Sequence, residues 1–399
     1  MDFEFPERIN RAVASLTMQI AQRAIELRAQ GEDIVDFSVG EPDFPTPDNI
    51  KNAAIKAIEL NLTKYTANTG ILELRRAIAD KLERDNGLSY SPDEIIVSNG
   101  AKQCVYNAIQ ALVGEGDDVL IPAPYYVSYP EMVKLAGGNP VFINTSIESG
   151  FKLTPELLES SLTPKTKMLI LCNPSNPTGS VFHENELNAL KETFRKGNYL
   201  ILTDEIYEKI IYDGIGFLSV ASLGEEIKKR TILVNGHSKA YSMTGWRIGY
   251  AAAEREIIKA MAKVQSHSTS NASTVSQYAA LEALKGPQES VEIMRKEFEK
   301  RRDFLFEELN SIEGIFTSKP EGAFYVFPDV SYYLGKKFKD KIISDVFEFS
   351  LFLLNEARVV VVPGIAFGNQ NCIRISFSTS MDRIAEGIKR IKNALELLV

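Results

Sequence analysis

Between residues 94 and 252 the chain alternates short β-branched apolar runs with helix-like stretches, and this rhythm constrains the fold more than any other feature. Glu94-Ile95-Ile96-Val97, Val119-Leu120-Ile121, Val141-Phe142-Ile143, Met168-Leu169-Ile170-Leu171, Leu200-Ile201-Leu202 and Ile232-Leu233-Val234 each read as a strand. Several are apolar throughout instead of alternating, the pattern of parallel strands covered by helices on both faces. Strand–helix alternation at this spacing predicts an α/β fold with a mainly parallel, doubly wound sheet.

The flanks follow a different pattern. Residues 9 to 30 carry helix-like apolar spacing that stops at Gly31, and Asp33 to Ser38 reads as a strand. Thr46-Pro47 supplies an N-cap and a first-turn proline for the next helix. Residues 288 to 312 form a long charged helix. Ala323-Phe324-Tyr325-Val326-Phe327, a helix near 344 to 357, two strands around 358 to 376 and a final helix then build a smaller α+β domain. A chain of 399 residues is long enough for two or three domains. The division expected is an N-terminal segment, 1–47, packing with the small domain, a large domain, 48–290, and a small C-terminal domain, 291–399.

Charge and motif content exclude several functions. Lysine plus arginine total 45 against 53 acidic residues, a net charge of -8, which disfavours nucleic acid or an anionic membrane as partner. No apolar run approaches the roughly 18 residues of a spanning helix. Met1-Asp2-Phe3-Glu4-Phe5-Pro6-Glu7 lacks the basic and apolar regions of a signal peptide. Cys104, Cys172 and Cys372 are odd in number, widely spaced and without a CxxC pair, which argues against a disulfide framework. A cytoplasmic setting is expected. Neither G-x-G-x-x-G nor G-x-x-x-x-G-K-[ST] occurs, and His183, His237 and His267 lack metal-ligand spacing, so no metal is expected.

In open α/β sheets chemistry collects at the carboxyl ends of the strands. Four polar clusters follow strand candidates here: Ser98-Asn99-Gly100-Ala101-Lys102, Asn173-Pro174-Ser175-Asn176-Pro177-Thr178-Gly179, Asp204-Glu205-Ile206-Tyr207 and Gly236-His237-Ser238-Lys239. Each alone reads equally as a turn or a strand-end residue. Together they offer a lysine, a carboxylate, a phenol and an amide to one site.

Ser238-Lys239-Ala240-Tyr241-Ser242-Met243-Thr244-Gly245-Trp246-Arg247-Ile248-Gly249-Tyr250 resembles the lysine motif of class I aminotransferases, the fold type I enzymes that depend on pyridoxal 5'-phosphate. Asn176-Pro177-Thr178-Gly179, Asp204-Glu205-Ile206-Tyr207, Gly40-Glu41-Pro42-Asp43-Phe44 and Arg374-Ile375-Ser376 fall in the family's order, so the resemblance spans essentially the whole chain. It implies that Lys239 bonds covalently to the cofactor aldehyde and then moves the substrate proton. Asp204 would pair with the pyridine nitrogen and keep it protonated. By the same resemblance Tyr207 and Asn176 bond the cofactor's phenolic oxygen, and Tyr126 covers the ring. Arg247 holds the phosphate together with the helix opening at Gly100-Ala101-Lys102. Tyr65 matches a tyrosine that reaches the phosphate across a dimer interface, which implies a homodimer with shared sites. Relatives often place Ser three residues before the lysine; this chain has Gly236.

The resemblance also assigns substrate contacts. Arg374 grips the α-carboxylate bidentately, and the Gly40 amide adds a hydrogen bond to it. Lys102 reads a distal carboxylate, as in a subgroup of aspartate aminotransferases, and Thr17 matches a threonine of members that also transaminate prephenate. Some of those carry Lys-Pro where this chain has Val13-Ala14. The expected activity moves an amino group between aspartate or glutamate and 2-oxo acids, prephenate included. The alternative inside the family is an aromatic or broad-specificity aminotransferase. From another class, a non-catalytic cofactor-binding regulator is disfavoured by the complete Lys239, Asp204 and Arg374 set.

Overall fold

The structure, a computed structural model, describes residues 3–12 and 17–399, with the side chains of Thr17 and Met18 outside the described set. Seven strands build the main sheet: β1 (Ile95–Ser98), β2 (Asp118–Ala123), β3 (Asn139–Asn144), β4 (Thr166–Cys172), β5 (Leu200–Asp204), β6 (Thr231–Gly236) and β7 (Gly249–Ala252). Their spatial order is β1-β7-β6-β5-β4-β2-β3. β2 to β6 pair in parallel, whereas β7 runs antiparallel to both β1 and β6.

Continuous apolar runs suit this sheet because successive side chains enter opposite helical layers. Val119, Ile121, Met168, Ile170 and Leu202 pack with Val105 and Ile109 of the helix Ala101–Leu112. Leu120, Leu169, Leu171 and Ile201 instead meet Leu187, Leu190 and Phe194 of the helix Glu184–Lys196. β7 carries no β-branched run, because three of its four residues, Gly249, Ala251 and Ala252, are glycine or alanine. The reason is steric. A Cβ on Gly249 would sit 2.4 Å from the amide nitrogen of Ala101, so glycine lets the helix start lie directly on the sheet.

Strands Tyr325–Val326, Ile373–Ser376 and Val362–Pro363 form a small antiparallel sheet. Phe298, Phe324, Phe349, Phe377, Ile384 and Ile388 give it a separate core with the helices Glu289–Asn310, Val346–Phe352 and Met381–Leu395. The N-terminal chain joins the same body. Val35–Asp36 pairs in parallel with Val359–Val360, and Ile20, Ala24 and Leu27 pack on Leu354 and Val360.

Several local expectations change. The helix expected over 9–30 is two helices, Glu7–Arg11 and Thr17–Ala29, because Ala12 adopts an extended backbone. The strand expected over 33–38 narrows to Val35–Asp36. Thr46 does not cap the next helix, Asp48–Glu59, whose N-cap is Pro47. Its hydroxyl donates to the Ser242 carbonyl (2.6 Å) and accepts from the Trp246 indole (3.0 Å), so it ties the N-terminal chain to the lysine loop. Three short strands, not two, occupy 358–376, and a hairpin of Lys337–Phe338 with Lys341–Ile342 had no sequence signal. Among the described residues all three cysteines are free, and no helix is long and apolar enough to cross a membrane.

Candidate active site

A cavity of about 360 Å³ opens at the carboxyl ends of β4, β5 and β6, between the main sheet and the small one. Asp204, the last residue of β5, turns its carboxylate into this cavity. Oδ2 accepts from the Tyr129 hydroxyl at 2.8 Å and Oδ1 from the Ile206 amide at 3.4 Å. Burial pushes its pKa up to about 6, against the pull of those donors and of the Lys239 charge. Among the described residues it has no ion-pair partner, so a buried carboxylate waits for a cation.

Lys239 lies in the loop that follows β6. Its ammonium donates to the Gly40 carbonyl. Burial, then the positive charges of Arg374 and Arg247, hold its pKa down at about 8, with Glu41 opposing. A lysine so poised has a usable fraction of neutral, nucleophilic amine near neutral pH. The loop is held in shape by Ser242 and Arg247 in left-handed backbone (both φ 51°) and by the Thr46 bonds. Gly236, the last residue of β6, precedes it. A Cβ there would lie 2.9 Å from Gly249 Cα, so close strand pairing leaves no room for a hydroxyl side chain. Ser238 lines the cavity instead.

An anion cradle stands beside this loop. The helix Ala101–Leu112 starts at Gly100 (φ 88°) with no side-chain cap, which leaves first-turn amides and the positive dipole end available. The Arg247 guanidinium packs against Gly100 so closely that a Cβ would come within 2.7 Å of it. Its nitrogens donate to the carbonyls of Thr244 (2.8 Å) and Asn99 (3.4 Å) and, among the described residues, meet no carboxylate.

The small sheet supplies the opposite wall. Arg374 is buried, donates to Asn176 Oδ1 (3.1 Å) and the Ser38 carbonyl (2.6 Å), and leaves Nε without a partner. Its guanidinium lies 4.5 Å from the Tyr325 ring centroid. Among the described residues every acceptor it has is neutral, so a buried charge of this kind favours a carboxylate ligand. The Tyr207 and Tyr325 hydroxyls stand 2.9 Å apart, and burial raises both phenol pKa values.

The structure thus brings Lys239, Asp204, Tyr207, Asn176, Tyr126, Arg247, Ala101, Lys102, Gly40 and Arg374 onto one cavity wall or another, with Gly100 directly behind Arg247. Tyr126 lines the cavity, while its neighbour Tyr125 stacks on Phe142 at 4.9 Å. Lys102 stands 5.4 Å from the Tyr126 ring and makes no ion pair among the described residues. Tyr65 is not part of this chain's cavity; it is 90% exposed. Thr17 opens its helix, but its side chain lies outside the described residues. Tyr129 and Tyr325 escaped sequence reading. The three-residue spacing of Tyr126 and Tyr129, which puts both rings on one side of a turn, was the available signal for the first.

These residues fit pyridoxal phosphate. The unpaired Asp204 matches a protonated pyridine nitrogen, the cradle at Gly100 and Arg247 matches a phosphate, and Lys239 matches the aldehyde. When bound, this cofactor supplies an electron sink that draws charge from the substrate's α-carbon.

The family model for aminotransferase class I and II matches residues 32–391. The chain is 49% identical over 384 residues to an aspartate aminotransferase of Bacillus sp. (strain YM-2), covering 96% of this chain and 97% of that one. It is 48% identical over 388 residues to an aspartate/prephenate aminotransferase of Cereibacter sphaeroides, covering 97% of each. The crystal structure of an aspartate aminotransferase from Rhizobium meliloti superposes with a TM-score of 0.97 at 44% identity, over 100% of both chains. With its cavity, its lysine loop and these likenesses in agreement, the chain belongs to the class I and II aminotransferases and is a pyridoxal-phosphate-dependent enzyme of fold type I.

Proposed function

We propose that the enzyme exchanges amino groups between the dicarboxylic amino acids aspartate and glutamate and their 2-oxo acids, and that it also aminates prephenate. One observation carries this reading. Two cations that this chain leaves unneutralised among its described residues, Arg374 and Lys102, face a single cavity that also holds Lys239. Arg374 takes the α-carboxylate on its planar fork, and the Gly40 backbone lies alongside. Lys102 takes the second carboxylate, which aspartate, glutamate and prephenate all possess. The names of the Bacillus and Cereibacter relatives support the same substrates.

Within that site Asp204 would hold the protonated ring nitrogen, Tyr126 would cover the ring, and Asn176 and Tyr207 would bond the phenolic oxygen. Lys239 would hold the cofactor, and its Nζ would carry the α-proton once the substrate is bound. Tyr65 serves the site of a second copy. Its exposure, with Ile55, Ile58, Leu60 and Leu72 exposed in the same stretch of chain, supports a homodimer. Three free cysteines support a reducing, cytoplasmic setting.

Replacing Lys102 by Leu tests the substrate assignment. The value of kcat/KM for aspartate and prephenate should fall about 10- to 100-fold, with phenylalanine and phenylpyruvate changed less than about threefold. Equal losses on both classes reject it. Borohydride reduction of the cofactor-loaded enzyme should label Lys239.

A further inference from the structure

We propose that Tyr325 is a positioning residue that orients the Tyr207 hydroxyl toward the cofactor's phenolic oxygen while its ring seats Arg374 for the substrate carboxylate. The inference rests on the proposed roles of Tyr207 and Arg374 and adds the residue that joins them.

Tyr325 stands at a crossing. It belongs to the small antiparallel sheet, next to the strand that carries Arg374, with Ser376 as its register partner. Yet its hydroxyl reaches Tyr207, three residues past the end of β5 in the main sheet. The same hydroxyl lies 3.1 Å from the position a Cβ would take on Gly40. Lys239 donates to that glycine's carbonyl. One buried side chain therefore touches the neighbourhood of the phenol, the carboxylate grip and the lysine.

Proton counting sets the direction of the phenol pair. Burial keeps both hydroxyls protonated, Tyr325 near 12 and Tyr207 well above the ordinary phenol value. Two neutral phenols share one hydrogen bond and retain one free O–H. The Arg374 cation, 4.5 Å from the Tyr325 ring, polarises that phenol, and the inferred arrangement has Tyr325 donating to Tyr207. Tyr207 is left with its own O–H free for a third atom, and accepting a bond sharpens it as a donor. The ring has a separate duty. Its face holds the guanidinium, whose Nε finds no hydrogen-bond acceptor.

The two duties separate in two substitutions made in the cofactor-loaded enzyme. Tyr325→Phe keeps the ring and removes the hydroxyl. The pH midpoint of the visible absorption change should rise by about half a unit or more, while the Kd for maleate, a dicarboxylate that cannot be transaminated, stays within about twofold. Tyr207→Phe should also raise the midpoint, and the double variant should go no further than Tyr207→Phe alone, because both hydroxyls act along one path. Tyr325→Leu, or Tyr325→Met should the first not fold, should weaken maleate about tenfold. If Tyr207→Phe shifts the midpoint and Tyr325→Phe does not, the inference is overturned and the role of Tyr207 stands. If neither shifts it, the role of Tyr207 itself fails. Unchanged maleate binding in the Leu and Met variants removes the seating role.

Discussion

The two walls of the cavity solve opposite electrostatic problems. The main-sheet wall holds Asp204 and Lys239, whose burial moves both toward neutral pH, to about 6 and about 8. The small-sheet wall holds the Arg374 guanidinium, which among the described residues meets neutral oxygens and aromatic faces and no carboxylate. Proton handling thus falls to the main-sheet wall, where Lys102 and Arg247 also stand, and the grip on the α-carboxylate falls to the small-sheet wall. The lesson is one of division: the groups that must change charge sit at the strand ends of the main sheet, and the group that grips the α-carboxylate sits on the small sheet.

The sharpest way to break this contrast is Lys239→Ala. It should lower kcat by about 10⁴-fold or more, since one side chain both holds the cofactor and carries the proton. Carboxylate binding on the far wall should survive, with the Kd for maleate changed only a few-fold. Arg374→Lys reverses that pattern. It keeps a cation but loses the planar fork, so kcat/KM should fall about 10²-fold at pH 6, chiefly through KM, and further toward pH 9 as the buried amine gives up its proton.

Asp204→Asn tests the main-sheet wall without turnover. A carboxyl whose folded-state pKa is raised from 3.8 to about 6 weakens folding as pH climbs through that interval, and the loss persists above it. Without cofactor, the Asp204→Asn variant should therefore be more stable than the parent at pH 7 by about 2–3 kcal/mol. The difference should shrink toward zero near pH 4, as read from thermal unfolding across that range. Turnover should fall in the same variant, so the group that activity needs is one that folding resists. The smallest expected effect is Tyr129→Phe, which removes one donor from Asp204. A loss of about tenfold in kcat, with maleate affinity unaltered, would keep Tyr129 on the proton-handling wall.

How legible all this was depended on the distance over which each signal acts. The parallel strands were readable because double-sided burial writes itself into consecutive apolar residues, as in Met168 to Leu171. The lysine loop was readable because its chemistry is packed into a dozen adjacent positions. Strand β7 was not: its glycine and alanines answer to the helix start lying on it, a contact with residues far back in the chain. Tyr129 and Tyr325 were missed for the same reason. Their partners, Asp204 and Tyr207, stand 75 and 118 residues away, and no local pattern announces such a bond. Thr46 was misread because Thr-Pro is a sound local cap signal that a distant loop overrides.

The bond from Arg374 to the Ser38 carbonyl joins residues 336 positions apart. Val35 and Asp36 likewise wait for Val359 and Val360. On the ribosome, the parallel sheet can assemble long before either partner emerges, so a nascent molecule would own the cofactor cradle without the means to hold an amino acid. Competence to turn over substrate would therefore come late in synthesis, once residues 359–374 are available to meet residues 35–38.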